Sequence, residues 1–186
     1  DGADRTLSIN VTAGANQAPS GANRTVTAFE NTPYLFTLAD FPMPNDGDGG
    51  TQGLAAVRIT TLPSNGSLTL FNGTTNVAVN PNQEISVTDI AAGNLRFLAN
   101  PNFNASPYAT FTFQVKDNGG TAVVLGVPGV DLDPTPNTAT INVLPVNTAP
   151  GGGDRLVTTV EDSGYAFAAG DFGFSDPQDQ PPANPA

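Results

Sequence analysis

Thr110–Lys116 reads TFTFQVK, and this stretch decides the fold. Phe111, Phe113 and Val115 fall on one face and Thr110, Thr112, Gln114 and Lys116 on the other. That period of two marks a strand with one face in a core and the other in water. Working outward, Ser67–Leu70, Asn94–Phe97, Tyr34–Leu38 and Thr140–Val143 alternate in the same way, and Val57–Thr60 adds a further strand. No segment sustains an apolar period of 3.6 residues, and one helical turn is expected at Val87–Ala92, ended by Gly93. Asn65–Gly66 and Asn72–Gly73 bracket Ser67–Phe71, and Asn-Gly supplies the positive φ angles of tight hairpin turns. About seven short strands separated by such turns predict an all-β chain built as an antiparallel β-sandwich.

The chain also repeats itself. Residues 16–41 read NQAPSGANRTVTAFENTPYLFTLADF, and residues 147–172 read NTAPGGGDRLVTTVEDSGYAFAAGDF, with 12 of 26 positions identical at an offset of 131. Arg24/Arg155, Glu30/Glu161, Tyr34/Tyr165, Phe36/Phe167, Asp40/Asp171 and Phe41/Phe172 are among the identities. Ser8–Val11 precedes the first copy as Thr140–Val143 precedes the second. A period of domain size indicates a tandem array. The expected division is 1–16 as the last strand of one repeat, 17–148 as a complete repeat, and 149–186 as the incomplete start of another. The expected class is thus an immunoglobulin/cadherin-like sandwich, tandemly repeated. The flanks lack partners for their apolar faces, so they are expected to dock on adjacent repeats or on neighbouring copies by strand addition.

Composition narrows the function. Seventeen acidic residues face six basic ones for a net charge of −11, and Lys116 is the sole lysine. Nucleic-acid binding needs clustered Lys and Arg and is not expected. No run of apolar residues reaches membrane-spanning length, so no membrane insertion is expected. Histidine and cysteine are both absent. That removes the commonest general base, the thiol nucleophile and the usual transition-metal ligands, and the chain is not expected to be an enzyme.

Hard oxygen ligands are plentiful, and calcium is the candidate cofactor. The candidate ligands are Asp46 and Asp48 in the loop 42–53, with Asp176 as their echo in the following unit; Asp117 at the end of the Phe-rich strand; Asp131 and Asp133 in the loop 117–136; and Glu30, Glu161 and Asp162. The chain has only three Glu residues, and two of them share one repeat position. Against this stands the ordinary role of Asp and Asn as turn residues in Gly-rich loops.

Leu62–Pro63–x–x–Gly66–x–Leu68–x–Leu70, then Leu95–x–Phe97 with Pro101–x–x–Asn104, then Phe111–x–Phe113–x–Val115–x–Asp117 together resemble a known group. They are similar to the cadherin-like and chondroitin-sulfate-proteoglycan-type repeats of bacterial RTX-type adhesins and related extracellular fibre proteins. Asn142–Pro150 resembles the junction between such repeats. The resemblance implies a stiff, non-catalytic spacer at the cell surface or outside the cell, serving adhesion or biofilm, with calcium where adjacent repeats meet. The sequence departs from the pattern at the junctions, which carry Asn147–Thr148 and Asn16–Gln17 where the group has Asn-Asp, and at Asn31 where it has Asp. The alternative expectation is a module that binds a glycan or a host or matrix protein through the acidic loops 42–53 and 117–136.

Overall fold

The computed structural model describes residues 5–11, 13–44, 46–47 and 52–176. The chain is mostly β-sheet. Its strands are β1 Arg24–Phe29, β2 Tyr34–Leu35, β3 Leu54–Ile59, β4 Ser67–Phe71, β5 Asn76–Ala78, β6 Gln83–Ser86, β7 Leu95–Leu98, β8 Ala105–Asp117, β9 Val123–Val124, β10 Val127–Pro128 and β11 Asn137–Leu144. The helical turn forms as α1, Val87–Ala91, with the Ser86 hydroxyl capping Asp89 N–H at 3.1 Å. Gly93 follows it in the left-handed conformation.

β8 carries TFTFQVK through the middle of a five-stranded sheet of order β1-β11-β8-β3-β6. Its alternation is realised as written: Ala109, Phe111, Phe113, Val115 and Asp117 are buried, and the residues between them are not. A second sheet has the order β2-β7-β4-β5, and β9 and β10 form a small hairpin inside the loop 117–136. Side chains of both large sheets share one core, with Phe111, Phe113, Ile59, Ile85 and Ile141 from the first and Leu68, Leu95 and Phe97 from the second. Phe36, just after β2, meets Phe111 edge to face at 5.7 Å, and Phe41 meets Phe113 at 5.1 Å. Burying each such ring contributes roughly 1.5–3 kcal/mol, and the edge-to-face geometry adds about 0.5–1.5 kcal/mol.

Two expectations are corrected here. Asn72–Gly73 closes the β4–β5 hairpin, but Asn65–Gly66 does not turn β3 back on its neighbour, because β3 and β4 lie in different sheets. Gly66 is instead fixed by close approach: a Cβ there would meet Leu98 O at 2.6 Å and the Phe97 ring at 2.7 Å. The second correction is that the pairing is not antiparallel throughout. β1 and β11 run parallel, Arg24 opposite Ala139 through Phe29 opposite Leu144.

The parallel pair places the two ends of the body. β1 and β11 begin at one end and finish at the other. The chain before β1 and the loop before β11 therefore meet at one end, and the chain after β11 leaves from the opposite end. At the leaving end Glu30 is buried, accepting hydrogen bonds from Val146 N–H at 2.9 Å and from Asn104 Nδ2 at 3.1 Å.

The flanking segments differ from the strands expected of them. Ser8–Val11 makes no strand, and Leu7, Ile9 and Val11 are exposed. Leu156–Val160, which corresponds to β1, is likewise unpaired among the described residues. An isolated strand has no ladder to join, and the alternation alone does not make one.

The duplicated segment nonetheless keeps much of its local shape. Tyr34 donates to Asp40 Oδ2 at 3.1 Å, and Tyr165 donates to Asp171 Oδ2 at 3.0 Å. The N–H groups of Thr37 and Ala168 each reach the same carboxylates at 2.8 Å. Half-burial, then the Asp40 carboxylate, pushes the Tyr34 hydroxyl up to about 12. The folded state thus favours the neutral phenol. The stability this gives is complete below pH 10, where an unfolded tyrosine is still protonated, and is lost as the pH rises toward 12. In a phenolate absorbance titration, Tyr34→Phe should remove a step near pH 12; a lost step at pH 10 would contradict the burial.

Candidate metal centre

At the end where β1 and β11 begin, three loops converge: the approach to β1, the loop after Phe41, and the loop after β8. Asn16 ties the approach to β1 to the loop after β8. Its Nδ2 donates to Asp117 Oδ1 at 3.0 Å and to Val130 O at 2.7 Å, while its main-chain carbonyl accepts from Val130 N–H at 2.9 Å. Gly119 N–H adds a 2.8 Å bond to Asp117 Oδ1. Asp46 Oδ2 accepts from Gln52 N–H at 3.1 Å. Gly119 must lack a side chain, because a Cβ there would strike the Asn16 amide.

These bonds leave three oxygens over. Asn16 Oδ1, Asp46 Oδ1 and Asp117 Oδ2 are buried and have no hydrogen-bond partner among the described residues. Asp46 is 5 % exposed and Asp117 2 %. Buried acceptors of this kind are costly unless something satisfies them. Burial raises the Asp117 carboxyl above the ordinary range, and the charges of Asp46 and Asp131 raise it further, against the pull of the Gly119 and Asn16 donors. Both carboxylates are buried, and a like charge beside a buried carboxylate disfavours its ionised form.

The other candidate residues divide sharply. Asp133 is buried but saturated, accepting from Gly21 N–H at 2.8 Å, Asn137 Nδ2 at 2.7 Å and Thr135 N–H at 2.9 Å. Its two oxygens already hold these loops together. Asp131 lies 3.9 Å from Lys116 Nζ, which also pairs with Glu84 at 3.0 Å. Glu30 sits at the opposite end with both oxygens occupied. Glu161 and Asp162 are exposed, and Asp162 takes the left-handed conformation of Asn31, φ 57° against 58°. Asp176 has one buried oxygen without a partner. Asp48 lies outside the described residues.

The sequence expectation included Asp46 and Asp117 among its candidates but not Asn16. The signal for it was present, since Asn16 and Asn147 are identical across the duplication. No group of three or more Asp, Glu, His or Cys converges among the described residues. The set is two carboxylates and an amide. All three are hard oxygen donors, and the chemistry of the set fits calcium rather than a transition metal. Beside it lies a cavity of about 430 Å³ lined by Gly14, Asn16, Gln17, Gln52, Gly119 and Val124. No helix among the described residues is long and apolar enough to cross a membrane. Comparison with protein-family models, curated proteins and solved structures finds no match for the chain.

Proposed function

We propose that the chain is a structural tandem repeat of a cell-surface adhesin or extracellular fibre, a cadherin-like β-sandwich that serves as a stiff spacer. The observation that carries this reading is the parallel pairing of the first and last strands. A body whose chain enters at one end and leaves at the other stacks end to end when repeated, and so extends rather than clusters. The Glu30 carboxylate adds stiffness by holding Val146, the first residues of the outgoing linker, to the body. Concatenated copies of 16–146 should lengthen by a constant increment per copy in small-angle scattering. Growth as the cube root of copy number, the mark of compact clustering, would overturn the spacer.

Calcium belongs to the same reading. Asn16, Asp46 and Asp117 would hold it, joining the incoming linker to two loops of the body. Bound to the native state alone, it stabilises by roughly 2.7 kcal/mol at a hundredfold excess over Kd. A melting temperature raised by calcium in the parent and unchanged in Asp117→Asn is the expected result. The pH dependence follows from the raised Asp117 carboxyl. Without metal, the protonated form is favoured by folding. Its stabilisation is complete below the unfolded carboxyl value and is lost as the pH rises through the raised one. Calcium requires the ionised form, so its affinity should fall as acid protonates Asp117, and titration calorimetry at two pH values tests this. An affinity independent of pH between 4 and 7 would place the metal elsewhere.

One observation favours a second reading, a binding module for a glycan or protein. The 430 Å³ cavity is lined by Gln52 of one acidic loop and by Gly119 and Val124 of the other, with Asn16 of the candidate ligands in its wall. Saccharide binding lost in Gly119→Ala, with the fold intact, would support it.

A further inference from the structure

Residues 153–173 repeat, outside the core, hydrogen bonds and ring contacts that residues 22–42 make inside it. Besides the tyrosine–aspartate bonds, Ala22 N–H reaches Pro42 O and Gly153 N–H reaches Gly173 O, both at 3.2 Å and at the same offset of 131. Tyr34 and Phe36 stack edge to face at 5.1 Å and 81°; Tyr165 and Phe167 do so at 5.4 Å and 81°. Phe36 and Phe41 lie 5.5 Å apart at 40°; Phe167 and Phe172 lie 5.8 Å apart at 35°. What differs is cover. Phe36 and Phe41 are each 1 % exposed, whereas Phe167 is 69 % and Phe172 63 % exposed.

The structure also shows what covers such a segment, because its twin is seated. The seat is the edge of β11, which pairs in parallel with β1, together with Phe111 and Phe113 beneath the rings. We propose that residues 147–172 form a donor segment for a second copy of this chain. There they displace that copy's own 16–41 and link molecules head to tail. Val157, Glu161, Phe167, Asp171 and Phe172 would take the places of Val26, Glu30, Phe36, Asp40 and Phe41 unchanged. The donor arrives with its tyrosine–aspartate turn already formed, so less ordering entropy is lost on seating.

The exchange seats one segment as it unseats the other, so its direction rests on the difference between them. One position favours the resident segment. Ala28, 2 % exposed, corresponds to Thr159, whose extra atoms overpack a filled site. The intact chain therefore keeps its own segment, and weakening that segment shifts the balance to the donor. This rests on the strand-addition reading of the duplication, although the spacer could stand without it.

The test uses the full chain with Phe36→Ala and a synthetic peptide of residues 147–172. The variant alone should form multimers whose mass by light scattering rises with concentration. The double variant Phe36→Ala/Phe167→Ala should stay monomeric. The peptide should raise the melting temperature of Phe36→Ala, and a Thr159→Ala peptide should bind about tenfold more tightly. Should Phe36→Ala not fold alone, Val26→Ala, a smaller loss, carries the same comparison. A folded variant that remains monomeric and ignores the peptide overturns the proposal. So do multimers that survive loss of Phe167. Neither result touches the scattering of concatenated copies, which tests the spacer separately.

Discussion

Phe36→Ala, measured at low concentration by chemical denaturation, should destabilise the chain by about 3–5 kcal/mol, the range for deleting a buried aromatic ring. Phe36 lies against Tyr34, Phe41 and Phe111, so its loss opens a cavity between the two sheets that rigid neighbours on both sides cannot fill. The same change at Phe167 should alter stability by less than about 0.5 kcal/mol, as expected of a surface position. The two residues occupy one position of a duplicated sequence and adopt one local geometry. Only their cover differs, and the contrast isolates the contribution of the core. Equal effects at both sites would mean that 147–172 is seated in solution.

The second large effect is expected at Glu30. Its side chain is buried, and Glu30→Ala removes the carboxylate that accepts from the Val146 N–H and the Asn104 amide and leaves a void. Val146 is exposed and Asn104 half-buried, so water takes up part of the lost bonding, and a hydrogen bond to a charged group contributes about 1.5–3 kcal/mol. A loss of roughly 2–4 kcal/mol is expected, together with faster amide exchange at Val146. Glu30→Gln should recover only part, because its amide nitrogen would confront one of the two donors. Glu161→Ala, at the corresponding exposed position, should be near neutral. Unchanged exchange at Val146 would detach Glu30 from the linker.

Much of the fold was legible in the sequence because strand period is a local property. TFTFQVK alternates as written, the β4–β5 turn follows Asn72–Gly73, and α1 sits where a single turn was expected. What was not legible depended on distant partners. Asn65–Gly66 has the composition of a hairpin turn, yet it joins two sheets, since pairing is settled by where β3 and β4 bury their apolar faces. Ser8–Val11 has the pattern of a strand but joins no sheet among the described residues.

The candidate metal residues divide along the same line. Nine acidic positions looked alike as turn-rich carboxylates. Tertiary contacts saturated Asp133 and Glu30, left Asp131 near Lys116, and withheld partners from one oxygen each of Asp46 and Asp117. Asn16 joins them from a linker 101 residues away from Asp117 in sequence. No spacing rule reaches that far.

By itself, then, the sequence determined the strand periods, the duplication, and the turn that Tyr34 or Tyr165 makes with its aspartate. These interactions span only a few residues, and the turn forms alike with or without a core. Only the tertiary structure decided that β1 and β11 run parallel, that the chain enters and leaves at opposite ends, and that three oxygens are left unsatisfied at one of them. Those outcomes depend on which edges pair and which faces are covered, and residues more than a hundred positions apart settle them.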